Sequence, residues 1–352
     1  MNNGPDTLVI LTPGFPDSEA DTNCLPMQQG FVRTLKENYP KLNIIILSFQ
    51  YPYFKKTYNW HGTTVISFNG QNKGGLARLL LREKIYAALK KINNTNKITG
   101  MLSFWYNECA WVGKKFAGKN DLRHYCWLLG QDAKKGNKYI KYLGLEAGEL
   151  IALSDFLQDE FEKNHGVRPL HLIPSGTDTK RLNTSVKERD VDILGVGSLI
   201  PLKQYEIFIA VVAEIKKQWP AIKVVLAGAG PEKEKLNGII IKNGLAQNIT
   251  LSGELPHIGV LELMKRTKVF LHPATYEGFS GVCQEALAAG ANVISFCKAM
   301  KQDIEQWHIV KSKEEMIQKA FALLQDPDPV YKITIPFPVD DTVKKMMSLF
   351  AE

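Results

Sequence analysis

Short runs rich in β-branched residues alternate with helical patterns along the whole chain, and this alternation constrains the fold more than any other feature. Such a rhythm builds parallel strands joined by crossover helices. Proline and glycine interrupt it near residues 174–180, after which it restarts. With 352 residues, the chain is long enough for two domains of about 150 residues each. We therefore predict an α/β protein with two doubly wound, Rossmann-like domains facing each other across a cleft.

The strands are predicted in two groups, one for each domain. The first domain is assigned to residues 1–175 and the second to residues 176–335. Residues 336–352 are expected to form a last helix, centred on residues 341–350, that packs back on the first domain. Further helices are predicted at residues 205–218, 260–265 and 314–324. The strands are predicted at residues 8–12, 44–49, 64–68, 98–103, 123–128 and 149–153, and then at 192–196, 223–227, 248–252, 268–272 and 292–296.

The composition is that of an ordinary globular protein, with 45% hydrophobic and 23% charged residues. No apolar run approaches the roughly 20 residues that span a bilayer, and the first residues lack the basic and apolar regions of a signal peptide. The five cysteines are scattered without a CxxC pair, which indicates reduced thiols. We therefore expect a cytoplasmic protein.

The net charge of +8 is concentrated in the first half of the chain. Residues 1–176 contain 22 Lys and Arg against 15 Asp and Glu, whereas residues 177–352 contain 22 against 21. Solvated helix faces and loops are the favoured explanation. The alternative is peripheral association of this half with the anionic inner face of a membrane. Nucleic acid is not an expected partner, because the basic clusters lack interleaved aromatic residues.

Two glutamates, Glu277 and Glu285, flank the predicted start of a helix near Ser280 or Gly281. A strand precedes this stretch, so the loop directs the backbone N–H groups of a helix N-terminus towards a ligand, and such groups favour phosphate. Carboxylates accept hydrogen bonds from neighbouring hydroxyls, as a ribose or a sugar presents them. Together these features predict a nucleotide-sugar site.

An ordered series of motifs leads to the same site and resembles the donor-binding domain of glycosyltransferase family 4. Members of this family are retaining enzymes with the GT-B fold. The resemblance is good over residues 148–326 and holds only in outline before them. The motifs are Ile173-Pro-Ser-Gly-Thr-Asp178, Gly195-Val-Gly-Ser-Leu-Ile-Pro-Leu-Lys203, Val224-Val-Leu-Ala-Gly228-Ala-Gly230-Pro231, Thr250-Leu-Ser-Gly253 and the two-glutamate stretch.

The resemblance implies a role for each matching residue on the donor side. Lys203 would neutralise the leaving diphosphate, Glu277 would contact the donor sugar, and Glu285 would hold the ribose hydroxyls. Gly228 and Gly230 either let a ligand approach the backbone or form a turn. The other donor-side candidates are Gly278, Phe279, Ser280 and Gly281 for the diphosphate, Leu255 for the base, and Ser198, which stands where the family has arginine.

The first half offers fewer candidates, all for the acceptor side. Gly14 follows the first strand, where the family often has a glycine pair. Leu129 replaces the histidine of the family's HGxD motif, which leaves Gln131 and Asp132 as candidates for contact with the acceptor. For Asp132 a loop-capping role is an equal alternative.

The resemblance implies a retaining hexosyltransferase that moves a sugar from a nucleotide-diphosphate donor to a hydroxyl of a glycan or lipid-linked glycan. It implies no metal ion and no cofactor. One alternative is a non-catalytic or weakly active nucleotide-sugar-binding protein, which the replacements at Ser198 and Leu129 favour. Another is a nucleotide-sugar epimerase of the same fold, although the acid and base that it needs are not identified. Asp190 and Asp192 form a DxD pattern that we interpret as a solvated strand entry.

Overall fold

The computed structural model describes residues 4–181 and 188–351, which fall into two compact units. The division lies after Asp178, and the chain returns to the first unit at Phe337. The boundaries predicted from the sequence, after residues 175 and 335, lie within three residues of these positions. Each unit is described separately below.

The first unit is an eight-stranded sheet with helices between most of its strands. Its strands run in the order β3-β4-β2-β1-β5-β6-β7-β8, and every neighbouring pair is parallel except β3 with β4. Leu8, Val9, Ile10 and Leu11 are completely buried, as expected for a central strand covered on both faces. The elements are β1 (Asp6–Gly14), α1 (Pro26–Asn38), β2 (Asn43–Tyr51), β3 (Lys56–Trp60), β4 (Thr63–Ser67), α2 (Gly75–Thr95), β5 (Lys97–Phe104), α3 (Glu108–Asn120), β6 (His124–Leu128), α4 (Ile140–Leu143), β7 (Leu150–Ala152), α5 (Asp155–His165) and β8 (His171–Leu172).

The second unit is a six-stranded sheet in which all neighbouring strands are parallel. Its strand order is β11-β10-β9-β12-β13-β14. Numbered from the start of the unit, this order is 3-2-1-4-5-6, the arrangement of dinucleotide-binding Rossmann folds. The elements are β9 (Val191–Val196), α6 (Tyr205–Lys216), β10 (Val224–Ala227), α7 (Lys233–Lys242), β11 (Ile249–Gly253), α8 (His257–Lys265), β12 (Thr267–His272), α9 (Gly281–Ala288), β13 (Asn292–Ser295), β14 (Trp307–Ile309) and α10 (Lys313–Gln325).

The last helix, α11 (Val339–Ala351), belongs to the first unit. Asn38 donates a hydrogen bond to Asp340 at 3.0 Å, and the Tyr125 hydroxyl donates to the carbonyl of Leu349 at 3.0 Å. The ring of Phe350 packs edge-on against Tyr125 with centroids 5.1 Å apart. Polar and apolar contacts thus attach both ends of α11 to the first sheet and its helices.

The α/β class with parallel sheets is confirmed, and all eleven predicted strands are present within two residues of their expected bounds. Three further strands, β3, β8 and β14, were not predicted. Within the two described ranges, no helix combines the length and the apolar character that crossing a bilayer would require.

Candidate functional site

The strand order of the second unit locates a candidate site at one point on its sheet. Strand β9 lies between β10 and β12. The chain builds the sheet from β9 towards β10 and β11 on one side, and then crosses to β12 on the other side, so the strand order reverses at β9. Ligands of open α/β sheets bind beyond the carboxyl ends of the strands at such a switch point. The loops that follow β9 and β12 meet there, and they carry Lys203 and Glu277.

Glu277 accepts hydrogen bonds from two side chains at this point. Lys203 is the last residue of a short 3-10 turn before α6. Its ammonium group donates a hydrogen bond to Glu277 Oε1. His272, the last residue of β12, donates from Nε2 to the same oxygen at 3.1 Å. Glu277 and Lys203 are mostly buried, and His272 is almost completely so. The structure therefore brings the two predicted residues together and adds a histidine.

The charges in this cluster follow from its burial and its partners. Burial alone would raise the pKa of Glu277, but the hydrogen bond from His272 and the charge of Lys203 outweigh it and hold that pKa well below its usual value. Burial lowers the pKa of His272 more than the nearby carboxylate raises it. At neutral pH, Glu277 is thus a carboxylate, Lys203 is its cation, and His272 is a neutral donor.

Tyr205 adds a buried hydroxyl beside this cluster. Its oxygen would lie 2.9 Å from a Cβ atom at Gly197, and the same Cβ would lie 3.7 Å from Lys203 Cε. Among the described residues, this hydroxyl has no hydrogen-bond partner. Burial, followed by the charge of Glu277, raises the pKa of Tyr205, so the hydroxyl keeps its proton. A buried polar group of this kind usually has a hydrogen-bond partner, and water or a ligand could supply one here.

Helix α9 begins at Gly281 directly after the Glu277 loop. Ser280 is its N-cap residue, and its side chain makes no capping hydrogen bond. The first turn contains no acidic residue that would offset the helix dipole. The predicted helix start is confirmed, and its N-terminal amides follow closely on Glu277.

Glu285 lies further along α9 and has a partner of its own. His257, the first residue of α8, is 2.8 Å from Glu285 Oε1 through Nε2, and both side chains are mostly buried. Leu255, the predicted base contact, is half-buried two residues before His257. The α8 N-terminus therefore supports the carboxylate predicted to hold the ribose.

The two glycines after β10 are required by the packing of the chain itself. A Cβ at Gly228, whose φ is +147°, would lie 1.9 Å from the carbonyl oxygen of Gly197. A Cβ at Gly230 would lie 2.4 Å from the carbonyl oxygen of Leu199. Of the two roles that the sequence left open, close approach within a turn accounts for both glycines; ligand contact stays a prediction.

The remaining donor-side candidates differ in exposure. Ser198 is exposed, whereas Ser280 is buried, with its hydroxyl 3.5 Å from His272 Nε2. Phe279 is buried and its ring stacks on that of Trp307, so its side chain belongs to the core. Gly278 and Gly281 lie on either side of Phe279 and Ser280 in the sequence.

The acceptor-side candidates lie in the first unit. Asp132 is buried, and its carboxylate accepts a hydrogen bond from the backbone N–H of Leu129 at 2.7 Å. Burial raises its pKa to about 7 against the opposing effect of backbone donors. Of the two roles that the sequence left open for Asp132, this hydrogen bond agrees with loop capping, and contact with the acceptor stays a prediction. Gln131 is exposed, whereas Gly14 is buried. A Cβ atom at Gly14 would lie 3.6 Å from Cβ of Tyr51, which is an ordinary contact distance.

Two residues of the cluster were not predicted as functional. Neither His257 nor His272 is assigned a role from the sequence. The only signal for His272 was its position at the carboxyl end of β12, immediately before the Glu277 loop. The signal for His257 was its place after β11, at the same edge of the sheet.

The acidic pattern at the start of β9 is structural, but Asp192 is the second residue of the strand and is buried, so the interpretation as a solvated strand entry is wrong for this residue. Asp190 pairs with Arg266, and Asp192 receives a hydrogen bond from Lys268 at 2.8 Å and another from the backbone N–H of Lys223. Over residues 4–181 and 188–351, no group of His, Cys, Asp and Glu side chains is arranged to hold a metal ion. Metal independence stays a prediction.

Comparison with known proteins finds a family match over most of the second unit. Residues 177–330 match the family described as glycosyl transferases group 1. Over 164 residues the chain is 26% identical to the gpi3 subunit of phosphatidylinositol N-acetylglucosaminyltransferase from Schizosaccharomyces pombe, which covers 45% of this chain and 36% of that protein. Over 178 residues it is 25% identical to glycogen synthase of Mycobacterium tuberculosis, covering 49% and 43%. The matches thus span less than half of these curated relatives.

Solved structures resemble the chain over nearly its whole length. The structure of HepE from Anabaena in complex with UDP and glucose aligns with a TM-score of 0.73 at 16% identity, covering 98% of this chain and 99% of that one. A glycosyltransferase from Rickettsia africae aligns with a TM-score of 0.72 at 14% identity, covering 99% and 98%. At such identities the likeness shows the fold, and the GT-B fold predicted from the sequence is confirmed.

Proposed function

We propose that this chain, whose residues 177–330 match the glycosyl transferases group 1, transfers a hexosyl group from a nucleotide-diphosphate sugar to a hydroxyl acceptor. The acceptor is a glycan or lipid-linked glycan, and the reaction retains the anomeric configuration without a metal ion. The observation that carries the proposal is the Lys203–Glu277 pair, held by His272 at the switch point of the second sheet.

Lys203 supplies the cation that the reaction needs. Departure of the nucleoside diphosphate places negative charge on its terminal oxygens, and a preorganised cation in a mostly buried position stabilises that charge. The N-terminal amides of α9 add partial positive charge a few residues from Glu277. The Tyr205 hydroxyl is a further donor beside Lys203.

Glu277 orients the sugar in this proposal. A carboxylate offers about four lone-pair positions, and Lys203 and His272 both use Oε1, so the other oxygen remains for sugar hydroxyls. Its lowered pKa makes Glu277 a weak base. The acceptor proton is therefore assigned to a phosphate oxygen of the donor, which agrees with retention through attack on the same face.

Glu285 binds the ribose hydroxyls, and His257 positions its carboxylate. Uracil is the first base to test, because HepE was solved with UDP. A lipid-linked acceptor takes its support from the gpi3 relative, whose name contains phosphatidylinositol. The second candidate function is nucleotide-sugar binding without transfer, which the exposed Ser198 favours because it leaves the diphosphate one cation short.

Thermal shift with nucleotides and their sugars tests the binding part of the proposal. We expect UDP, GDP or ADP, but only one of the three, to raise the melting temperature of the wild type. A ligand at a hundredfold its dissociation constant adds about 2.7 kcal/mol to the free energy of unfolding. Glu285→Ala should lose most of this shift. Glu214→Ala, which removes an exposed carboxylate paired with Lys217, is the matched control and should keep it.

Two results would contradict the proposal or change it. If no nucleotide raises the melting temperature, the donor site is absent. If nucleotides bind but no sugar is transferred or hydrolysed over a broad acceptor panel, the chain is a nucleotide-sugar-binding protein.

A further inference from the structure

Helix α2 carries leucines on two opposite faces. One face, formed by Leu81, Ile85, Leu89 and Ile92, is buried in the core of the first unit. On the other face, Leu76 is 71% exposed, Leu79 is 55% exposed and Leu80 is 50% exposed. A helix that covers a sheet needs only one apolar stripe, so the core does not account for the second face.

These three leucines form a single surface. Their spacing of three and four residues places them on adjacent turns of one helix face. We call Leu76, Leu79 and Leu80 the apolar patch. On the short helix α4, Tyr142 is 73% exposed. The segment that contains α4 contacts α2, since the hydroxyl of Tyr139 accepts a hydrogen bond from Arg82 at 3.4 Å.

The chain segments that carry the apolar patch and helix α4 are rich in cations. Residues 73–91 contain six Lys and Arg against one Glu, and residues 134–141 contain four Lys. Only Arg82 of the α2 cations has a short bond to a buried carboxylate, that of Glu108 at 2.6 Å; Arg78 lies 4.0 Å from the same group. The patch thus combines apolar side chains with an excess of positive charge.

We propose that the apolar patch is a membrane-contact surface, whose occupant is the interface of a bilayer rich in anionic lipids. The leucines and Tyr142 enter the boundary between headgroups and acyl chains, and the Lys and Arg of the same segments bind the headgroups. This arrangement gives two attachment signals, which stable peripheral binding requires. A second copy of the chain fits less well, since pairing the patches would bring like charges together.

The inference deepens the proposed function, because it would place the enzyme where a lipid-linked acceptor resides. It does not depend on nucleotide binding, and the two can fail separately. Thermal shift by nucleotides reports on the second unit alone, whereas vesicle binding reports on α2 and α4.

Co-sedimentation with vesicles tests the inference. The wild type should bind vesicles of phosphatidylcholine and phosphatidylserine at low salt, and binding should weaken as salt rises. Leu79→Glu together with Leu80→Glu should weaken it at least about tenfold, since two apolar anchors are lost and two charges oppose the lipid. The control is Leu170→Glu, also in the first unit and 66% exposed but outside the patch, which should bind within about twofold of wild type.

Three outcomes would overturn the inference. Wild type that stays in the supernatant with anionic vesicles at low salt shows that no membrane surface exists. Equal losses in the double variant and in Leu170→Glu show that the patch has no special role. If light scattering finds that the wild type is a dimer and that the double variant is a monomer, the patch is an interface with a second copy of the chain. Unchanged circular dichroism and nucleotide thermal shift in the double variant establish that it is folded.

Discussion

Lys203 and His272 both donate to one oxygen of Glu277, but only Lys203 was predicted for the site. Motif spacing led to Lys203 and Glu277, because each lies at a fixed place in an ordered series. His272 could not be assigned from the sequence, since a position at the end of a strand favours a packed side chain and does not by itself indicate a functional one. The deciding fact is the contact with Glu277, which only the fold provides.

His257 is expected to be a positioning residue for Glu285. His257→Ala should raise the KM for the donor about fivefold, because a charge-assisted hydrogen bond contributes about 1 kcal/mol or more. The kcat should stay within about twofold, since the bond does not touch the reacting atoms. Steady-state kinetics with varied donor concentration measure this split.

The control for His257 uses Glu285 itself. His257→Gln replaces the imidazole N–H donor with an amide N–H donor. It should recover part of the affinity for the nucleotide sugar that His257→Ala loses. In a Glu285→Ala background, removal of His257 should have no further effect on KM. An undiminished effect in that background would show that His257 acts on the donor by another route.

At the scale of elements, the loops after β9 and β10 depend on each other. Gly228→Ala should lower the free energy of unfolding by at least about 3 kcal/mol, because its Cβ would overlap the Gly197 carbonyl at a positive φ. Gly238→Ala, within α7 and with open space around it, should instead raise stability by about 0.5–1 kcal/mol. Chemical denaturation of both variants checks the prediction, and similar values for the two would contradict it.

The strands that the sequence missed share a physical reason. Strand β3 lies at the edge of its sheet and is largely exposed, so it lacks an apolar run. Strands β8 and β14 have two and three residues, fewer than a periodic pattern needs. The predicted strands were detected because parallel strands buried on both faces are almost continuously apolar.

Asp132 shows a similar limit in the loop after β6. The sequence offered acceptor contact and loop capping as equal alternatives, and the two differ only in which way the carboxylate points. The hydrogen bond from the Leu129 amide shows that the carboxylate caps its own loop, while contact with an acceptor stays a prediction. A short motif in a loop therefore fixed the position of the residue but not its role.

At the scale of the molecule, the two units differ in how far the sequence could be interpreted. The second unit has a strand order of 3-2-1-4-5-6 and a family match over residues 177–330, so its site followed from motifs and topology. The first unit has the same kind of sheet, but its motifs resemble the family only in outline. Its distinctive feature is the apolar patch. The sequence did not reveal it, because leucines such as Leu76, Leu79 and Leu80 could equally face the core.

The central claim is that Lys203 and Glu277 form the catalytic centre of a sugar transfer reaction. The most direct measurement is the release of nucleoside diphosphate from the donor sugar that stabilises the wild type, in the presence of an acceptor panel. We predict that Lys203→Ala lowers kcat about 100-fold or more, the loss expected for one group that stabilises developing charge. Lys235→Ala, which removes an exposed lysine paired with Glu206 and Glu232, should leave the rate unchanged. Turnover by Lys203→Ala at the wild-type rate would contradict the account.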